Sequence, residues 1–434
     1  EDCALVRDIF ARTELVRFAI ERQRLTGLPL DRPGGSVAAF DHVYLPRLHR
    51  RGRVAGEPGM RRGMGGADTL AAPGGYVLPS RPGLHEGVVV LDFKSLYPSI
   101  IRTFKIDPLG LAFPGDDPIA GFDGAKFSRG DHILPELLES LWSARDRAKR
   151  EANAPLSHAI KILMNSFYGV LGTPACRFYS PRIASSITRR GHEVIQVSRD
   201  HLVSLGLTVL YGDTDSLFVL LDDKEHAEAR GLELADALNQ LWRERIAGEH
   251  RLESHLEIEL DACYRRLIMP TLRGSAEGSA KRYAGFVEGQ GIVIKGLEAV
   301  RSDWTPLARR FQTELIRRVI MDEPIDAYLR ETRARLLAGE LDDELVYEKR
   351  LRREAEAYEA AIPPHVKAAK MLDQPVKSVR YVITTHGPQP LEKQNARLDY
   401  HHYVDRQLAP AADSILGCLG TSFEAIAGTQ LSLF

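Results

Sequence analysis

Two short runs, Asp92-Phe93-Lys94-Ser95-Leu96-Tyr97-Pro98-Ser99 and Tyr211-Gly212-Asp213-Thr214-Asp215-Ser216, set carboxylates at the lip of apolar strands more than a hundred residues apart. Val88-Val89-Val90-Leu91 reads as a buried strand ending at Asp92. Leu207-Thr208-Val209-Leu210 runs into a Gly-Asp turn and Leu217-Phe218-Val219-Leu220-Leu221 returns from it, a hairpin with Asp213 and Asp215 at its tip. Carboxylates gathered from separate strands can hold two Mg²⁺ ions about 3.5–4 Å apart, which stabilise the attacking and leaving oxygens of an in-line phosphoryl displacement. Mg²⁺ suits such a place because it takes few protein ligands and shares the rest with phosphates.

Between the two runs, Lys161-Ile162-Leu163-Met164-Asn165-Ser166-Phe167-Tyr168-Gly169 puts Lys161, Asn165 and Tyr168 on one helical face, at i, i+4 and i+7. A cation, an amide and a ring in that order suit a triphosphate and the sugar and base beside it. On the preceding helix Arg145 and Lys149 share an i, i+4 face. Either helix alone reads first as a solvated charged surface. Opposed across one hairpin, the two faces can clamp phosphates.

These residues need elements to carry them. The spacing predicts a helix over residues 5 to about 25, ended by Gly27-Leu28-Pro29. Residues 52–83 are rich in Gly and Pro, with pairs at Gly65-Gly66 and Gly74-Gly75, and read as a long loop or linker. A folded core begins near Glu86. A helix over 135–151, a break at Asn153-Ala154-Pro155 and a second helix running to Tyr168-Gly169 form the hairpin, and a third helix spans about 181–205. Strands are expected near 256–260, 266–269 and 283–287. From Pro306 onward the pattern is mostly helical, the charge-laced stretch 341–359 included, so a helical domain should fill the C-terminal third.

At 434 residues the chain has room for about three domains of ~150 residues. Its 44% apolar and 27% charged content is ordinary for a globular protein, and no run reaches the ~18 apolar residues of a membrane span. Cys3, Cys176, Cys263 and Cys418 lack metal or disulfide spacing, which points to a reducing cytoplasm. Glu1-Asp2-Cys3 carries neither a basic signal region nor Met, so the chain is expected to begin within a longer protein. The net charge of −1 conceals sorting: Arg47, Arg50, Arg51, Arg53, Arg61 and Arg62 cluster, as do Arg145, Arg147, Lys149 and Arg150. A polyanion would meet a basic groove and not a basic protein.

The three runs Asp92–Ser99, Lys161–Gly169 and Tyr211–Ser216 resemble, in order and separation, the polymerase motifs of family B DNA polymerases. The longer runs Leu96-Tyr97-Pro98-Ser99-Ile100-Ile101-Arg102-Thr103-Phe104 and Phe167-Tyr168-Gly169-Val170-Leu171-Gly172 resemble its bacterial DNA polymerase II branch. The resemblance implies an α+β right hand with an antiparallel-sheet palm, helical-hairpin fingers and a mostly helical thumb. Its parts would be an exonuclease remnant (1–30), a Gly/Pro/Arg-rich linker and N-terminal segment (31–85), palm (86–130 and 173–300), fingers (131–172), and thumb with a clamp-binding tail (301–434).

By the same resemblance Asp92 and Asp215 would ligate the two Mg²⁺ ions, with Asp213 beside them as a less direct member. Tyr97 would lie beneath the incoming sugar and leave no room for a 2′-hydroxyl, a steric choice of deoxyribose. Arg145, Lys149, Lys161 and Asn165 would bind the deoxynucleoside triphosphate and neutralise departing pyrophosphate. Tyr168 and Gly169 would form the surface under the nascent base pair, and Lys281 and Tyr283, in Lys281-Arg282-Tyr283, would meet the primer end. Lys295-Gly296-Leu297-Glu298-Ala299-Val300-Arg301 resembles the entry to the thumb and Asp399-Tyr400-His401-His402-Tyr403-Val404 a segment within it, gripping primer–template DNA through phosphates.

At the C-terminal end, Gln430-Leu431-Ser432-Leu433-Phe434 resembles the bacterial sliding-clamp-binding motif, with Gln430, Leu431, Leu433 and Phe434 as anchors. Asp2-Cys3-Ala4-Leu5-Val6 resembles the close of a proofreading domain whose other metal ligands have no counterpart here, so the chain alone is not expected to proofread. The implied function is template-directed addition of deoxynucleotides to a primer 3′-hydroxyl in bacterial replication, repair or translesion synthesis, in the cytoplasm at the nucleoid. A phosphodiesterase reading fits the carboxylates but not the paired basic faces. A silent DNA-binding scaffold would have lost Asp92 or Asp215, and both are present.

Overall fold

A computed structural model describes residues 2–31, 35–56, 73–272, 275, 277–359 and 362–428. Arg61, Arg62, the Gly65-Gly66 pair and the tail residues Gln430, Leu431, Leu433 and Phe434 lie outside the described residues. The helix expected over 5–25 is two helices, α1 (Asp2–Arg12) and α2 (Leu15–Thr26), because Glu14 adopts a left-handed conformation with φ 50°. Gly27, at φ 74°, closes α2 by donating its N–H to the Gln23 carbonyl, as its sequence position predicts. Helix α3 (Ser36–Arg50) lies in the stretch read as linker and N-terminal segment, yet it buries Phe40, Val43, Tyr44 and Leu48. Their spacing is helical, and Phe40 packs edge-on against Phe167 at 5.2 Å.

The chain continues through β1 (Val77–Leu78), β2 (Gly83–Phe93), α4 (Leu96–Thr103), α5 (Pro108–Ala112) and the small hairpin β3 (Ile119–Ala120) and β4 (Lys126–Phe127). Then come α6 (Leu134–Arg150), α7 (Ala154–Leu171) and α8 (Pro181–Ser204), each within a few residues of its predicted bounds. Next are β5 (Thr208–Asp213), β6 (Ser216–Leu220), α9 (Ala227–His250), β7 (Ile258–Met269), β8 (Tyr283–Val287) and β9 (Gly291–Lys295). The two strands expected near 256–260 and 266–269 are the single long β7.

Seven strands make one antiparallel sheet in the order β1-β5-β6-β2-β7-β8-β9. Strand β2 is central and buried on both faces. Val89 and Leu91 join the core shared with the helices, while Val88 and Val90 meet Tyr211, Phe218 and Tyr264 on the other side. Helix α9 buries Leu234, Leu238, Trp242 and Ile246, and Trp242 donates its indole N–H to Ser198 of α8 at 2.9 Å.

A second core belongs to α10 (Pro306–Met321), α11 (Asp326–Leu337), β10 (Tyr347–Arg350), α12 (Pro364–Ala369), β11 (Ser378–Thr384), β12 (Gly387–Pro390), α13 (Tyr400–Tyr403), α14 (Ala409–Leu416) and α15 (Phe423–Ala427). Here the stretch expected to be helical, 341–359, is short 3₁₀ turns around β10, which pairs with β11 in a three-stranded sheet. Tyr347 stacks on Tyr381 at 5.1 Å, a cross-strand pair that outweighs the helix preference of the surrounding Glu, Arg and Ala. Buried Glu298 ties the residue before β8 to α10 and α14: it pairs with Arg282 and accepts from Gln312 Nε2 at 2.7 Å and from Ser414 Oγ at 3.3 Å.

Candidate active site

Backbone bonds bring the two carboxylate runs together. Asp92, near the end of β2, stands opposite Ser216 on β6 and Glu259 on β7. Beyond it the Phe93 N–H donates to the Asp215 carbonyl at 2.8 Å and the Lys94 N–H to the Glu257 carbonyl at 2.9 Å. The tip of the β5–β6 hairpin is strained at Thr214, φ 56°, and is held by its N–H on the Tyr76 carbonyl at 2.8 Å. Gly75 lies so close that a Cβ there would stand 2.4 Å from Thr214 Oγ1, so only glycine fits. Gly75 and Tyr76, in the stretch read from sequence as a loop, thus clamp the turn that carries Asp215.

Asp92, Asp215, Tyr97, Arg145, Lys149, Lys161, Asn165 and Tyr168 all line one cleft of about 920 Å³. Burial and then the charges of Asp215, Asp261 and Glu259 push Asp92 up to about 7, against the pull of Lys161. Burial followed by the Asp213 charge raises Asp215 as well. Sequence reasoning missed the acidic row Glu257, Glu259 and Asp261, which lines the same cleft from β7 and the loop before it. Its strict alternation with Ile258 and Leu260 was the available signal. Lys94 bridges the row, its Nζ 2.6 Å from Glu257 Oε1 and 2.9 Å from Glu259 Oε2.

Opposite the carboxylates stands the α6–α7 hairpin. Its helices pair through Leu137, Leu138, Leu141, Ile160, Leu163, Met164 and Phe167, which leaves the polar faces to the cleft. Asn153 caps α7 by accepting from Leu156 N–H at 3.2 Å, and buried Asp107 accepts from Leu134 N–H at 2.7 Å at the start of α6. Among the described residues Arg145, Lys149 and Lys161 make no hydrogen bond or ion pair, and Arg145 Nε is buried without a partner. Three unpartnered cations in one cleft ask for an anion. On the floor, Tyr97 packs on Tyr168 with centroids 4.4 Å apart, and burial pushes the Tyr97 phenol up to about 12.

Four predicted site residues lie beside the cleft and not on its lining. Asp213 faces Lys281, Nζ to Oδ1 3.3 Å, and accepts from Thr214 Oγ1 at 3.0 Å. The Lys281 N–H donates to the Tyr211 hydroxyl at 2.8 Å, and Tyr283 packs edge-on against Phe218 at 5.1 Å. Gly169 is exposed, with open space where a side chain would stand. The donor set at Asp92 and Asp215 is all oxygen, and repulsion between them is what a divalent cation relieves. Among the described residues no three acidic, His or Cys side chains gather closely enough to enclose an ion. An all-oxygen pair suits a hard cation that takes few protein ligands.

Comparison with known proteins agrees with this geometry. Residues 121–419 match the profile of DNA polymerase family B. The chain is 49% identical to "DNA polymerase II" of Escherichia coli K12, covering 100% of this chain and 58% of that protein. It is 30% identical to "DNA polymerase 2" of Aeropyrum pernix, over 95% and 52% of the two chains. The solved family B DNA polymerase of Pyrobaculum calidifontis superposes with a TM-score of 0.67 at 26% identity, over 95% of this chain and 55% of that one. The chain thus spans a little over half the length of these relatives, and by the family profile it belongs to DNA polymerase family B.

Proposed function

We propose that the chain is the polymerising part of a DNA-directed DNA polymerase, adding deoxynucleotides to a primer 3′-hydroxyl with release of pyrophosphate. The observation that carries this reading is the pairing of two mutually repelling carboxylates, Asp92 and Asp215, with three unpartnered cations across one cleft. A phosphodiesterase has no triphosphate for those cations to hold. On this reading the seven-stranded sheet is the palm, the α6–α7 hairpin the fingers, residues 1–30 an exonuclease remnant, and residues 301–434 the thumb.

Asp92 and Asp215 hold two Mg²⁺ ions, which when bound supply Lewis-acid stabilisation to the attacking and leaving oxygens. Arg145, Lys149 and Lys161 bind the triphosphate and take up charge as pyrophosphate departs, with Asn165 donating beside them. Tyr97 supports the deoxyribose and excludes a 2′-hydroxyl. Tyr168 and Gly169 offer a flat surface beneath the new base pair. Asp213 acts through its contact with Lys281, which with Tyr283 sits at the primer end.

Primer–template DNA is gripped through phosphates, and residues 430–434 dock a bacterial sliding clamp. The site of action is the cytoplasm at the nucleoid, and among the described residues no helix is long and apolar enough to cross a membrane. Primer extension tests the proposal: it should require Mg²⁺ and deoxynucleotides and vanish in D215N while DNA binding survives. Extension by D215N at the unmodified rate would remove Asp215 from the chemistry.

A further inference from the structure

Tyr97 is held from behind as well as from the side. Gly191, buried in the interior of α8, faces α4, and a Cβ built on it would lie 3.2 Å from Tyr97 Cε1. Leu96 Cδ2 and Ile100 Cδ1 would each stand 3.7 Å from the same atom. Tyr168 packs against the ring at a tilt, with centroids 4.4 Å apart, and Tyr97 lines the cleft. A helix interior is a costly place for glycine, so this one answers to packing and not to backbone conformation.

We infer that Gly191 is a specificity-determining residue: its missing side chain sets the depth of the Tyr97 ring and therefore the clearance left for the sugar of an incoming nucleotide. A methyl at this position stands in ordinary contact with Leu96 and Ile100 but crowds Tyr97, so the ring yields by a few tenths of an ångström toward the cleft. The floor under the sugar rises. A ribonucleotide, whose 2′-hydroxyl already presses on the ring, suffers more than a deoxynucleotide. Gly191 touches no substrate and acts wholly through Tyr97.

The inference rests on the polymerase reading, and its test separates the two. Single-nucleotide extension with dATP and ATP is measured for the unmodified chain, G191A, Y97A and G191A/Y97A, together with thermal unfolding of each. In the Tyr97 background G191A should raise the dATP-over-ATP ratio of kcat/KM about threefold or more, with KM for dATP also raised. In the Y97A background the ratio should not move.

The Tm should follow the same logic. G191A lowers Tm when the ring is present and leaves it equal or higher when Y97A has vacated the space, because alanine is the better helix former. Should G191A alone fail to fold, folding of G191A/Y97A is itself the expected rescue. Equal losses in both backgrounds, in ratio or in Tm, would overturn the inference and leave Gly191 a structural residue. Failure of the unmodified chain to extend any primer sinks the polymerase reading instead, and extension with unaltered sugar selectivity in Y97A sinks the role of Tyr97. Both remove the inference, by results distinct from its own failure.

Discussion

The N–H of Phe93 donates to the carbonyl of Asp215 at 2.8 Å, so the residue after Asp92 is fastened to Asp215 through the main chain. The sheet thereby holds Asp92 and Asp215 together against their own charges. Burial first, and then that proximity, pushes Asp92 up to about 7, so holding it ionised there costs the fold stability.

Asp92 titrates near 7 in the fold and in the ordinary carboxylate range, about 4, when unfolded. Between those values the native state keeps a proton that the unfolded chain has released. The contribution of this group to stability is therefore full below the unfolded value and lost as pH rises through about 7. In chelator at pH 8, D92N should have a higher Tm than the unmodified protein, with the gap closing at pH 5. Mg²⁺ at pH 8 should raise Tm of the unmodified protein and not of D92N. A D92N Tm that is lower at pH 8 would refute the repulsion.

K161A and R145A should raise KM for deoxynucleotides and lower kcat/KM roughly 10- to 150-fold, the value of a charge-assisted hydrogen bond of about 1.5–3 kcal/mol. Neither side chain makes a hydrogen bond or ion pair within the described residues. Unfolding midpoints should therefore stay within about 0.5 kcal/mol of the unmodified protein. Loss of stability in step with loss of activity would mean that these side chains hold the hairpin and not a substrate.

Lys94 supplies the one cation bonded to Glu257 and Glu259 among the described residues. Removing a positive charge beside a cation site strengthens cation binding, so K94M should lower the half-saturating Mg²⁺ concentration about two- to fivefold, equivalent to ~0.5–1 kcal/mol. High salt should shrink the difference. Calorimetric titration of metal into K94M reads this directly, and an unchanged or weaker affinity would exclude Lys94 from the field of the site.

The buried carboxylate of Asp107 accepts from the Tyr44 hydroxyl and from the amides of Leu109, Gly110 and Leu134, joining α3, α5 and the start of α6. D107A leaves these donors unanswered and should cost about 3–5 kcal/mol in a urea unfolding series. A cost under about 1 kcal/mol would show that water replaces the carboxylate.

Deleting residues 430–434 should spare distributive extension and abolish stimulation by a bacterial sliding clamp. Stimulation that persists would place the docking site elsewhere on the chain.

Much of the site was legible because it obeys local rules. Asp92 and the 211–216 turn sit where apolar strands stop, and Lys161, Asn165 and Tyr168 share a face because helical spacing dictates it. The turns and prolines that bound α6, α7 and α8 are equally local. Other signals were present but unread: α9 repeats Leu234, Leu238, Trp242 and Ile246 at fourfold spacing, and the acids of β7 alternate with apolar neighbours.

What no local pattern carried was juxtaposition. The charged stretch around Tyr347 has helix-forming composition, but pairing with Tyr381, 34 positions on, makes it a strand. Glycine 75 reads as loop until Thr214 is seen against it, and Gly191 reads as a weak helix residue until the ring of Tyr97 lies behind it. By itself the sequence determined which residue types stand at strand ends and helix faces, because periodicity is a property of neighbouring positions. Only the tertiary structure decided which carboxylates repel, which cations go unpartnered and which glycines leave room, because burial and Coulomb energy depend on distance in space.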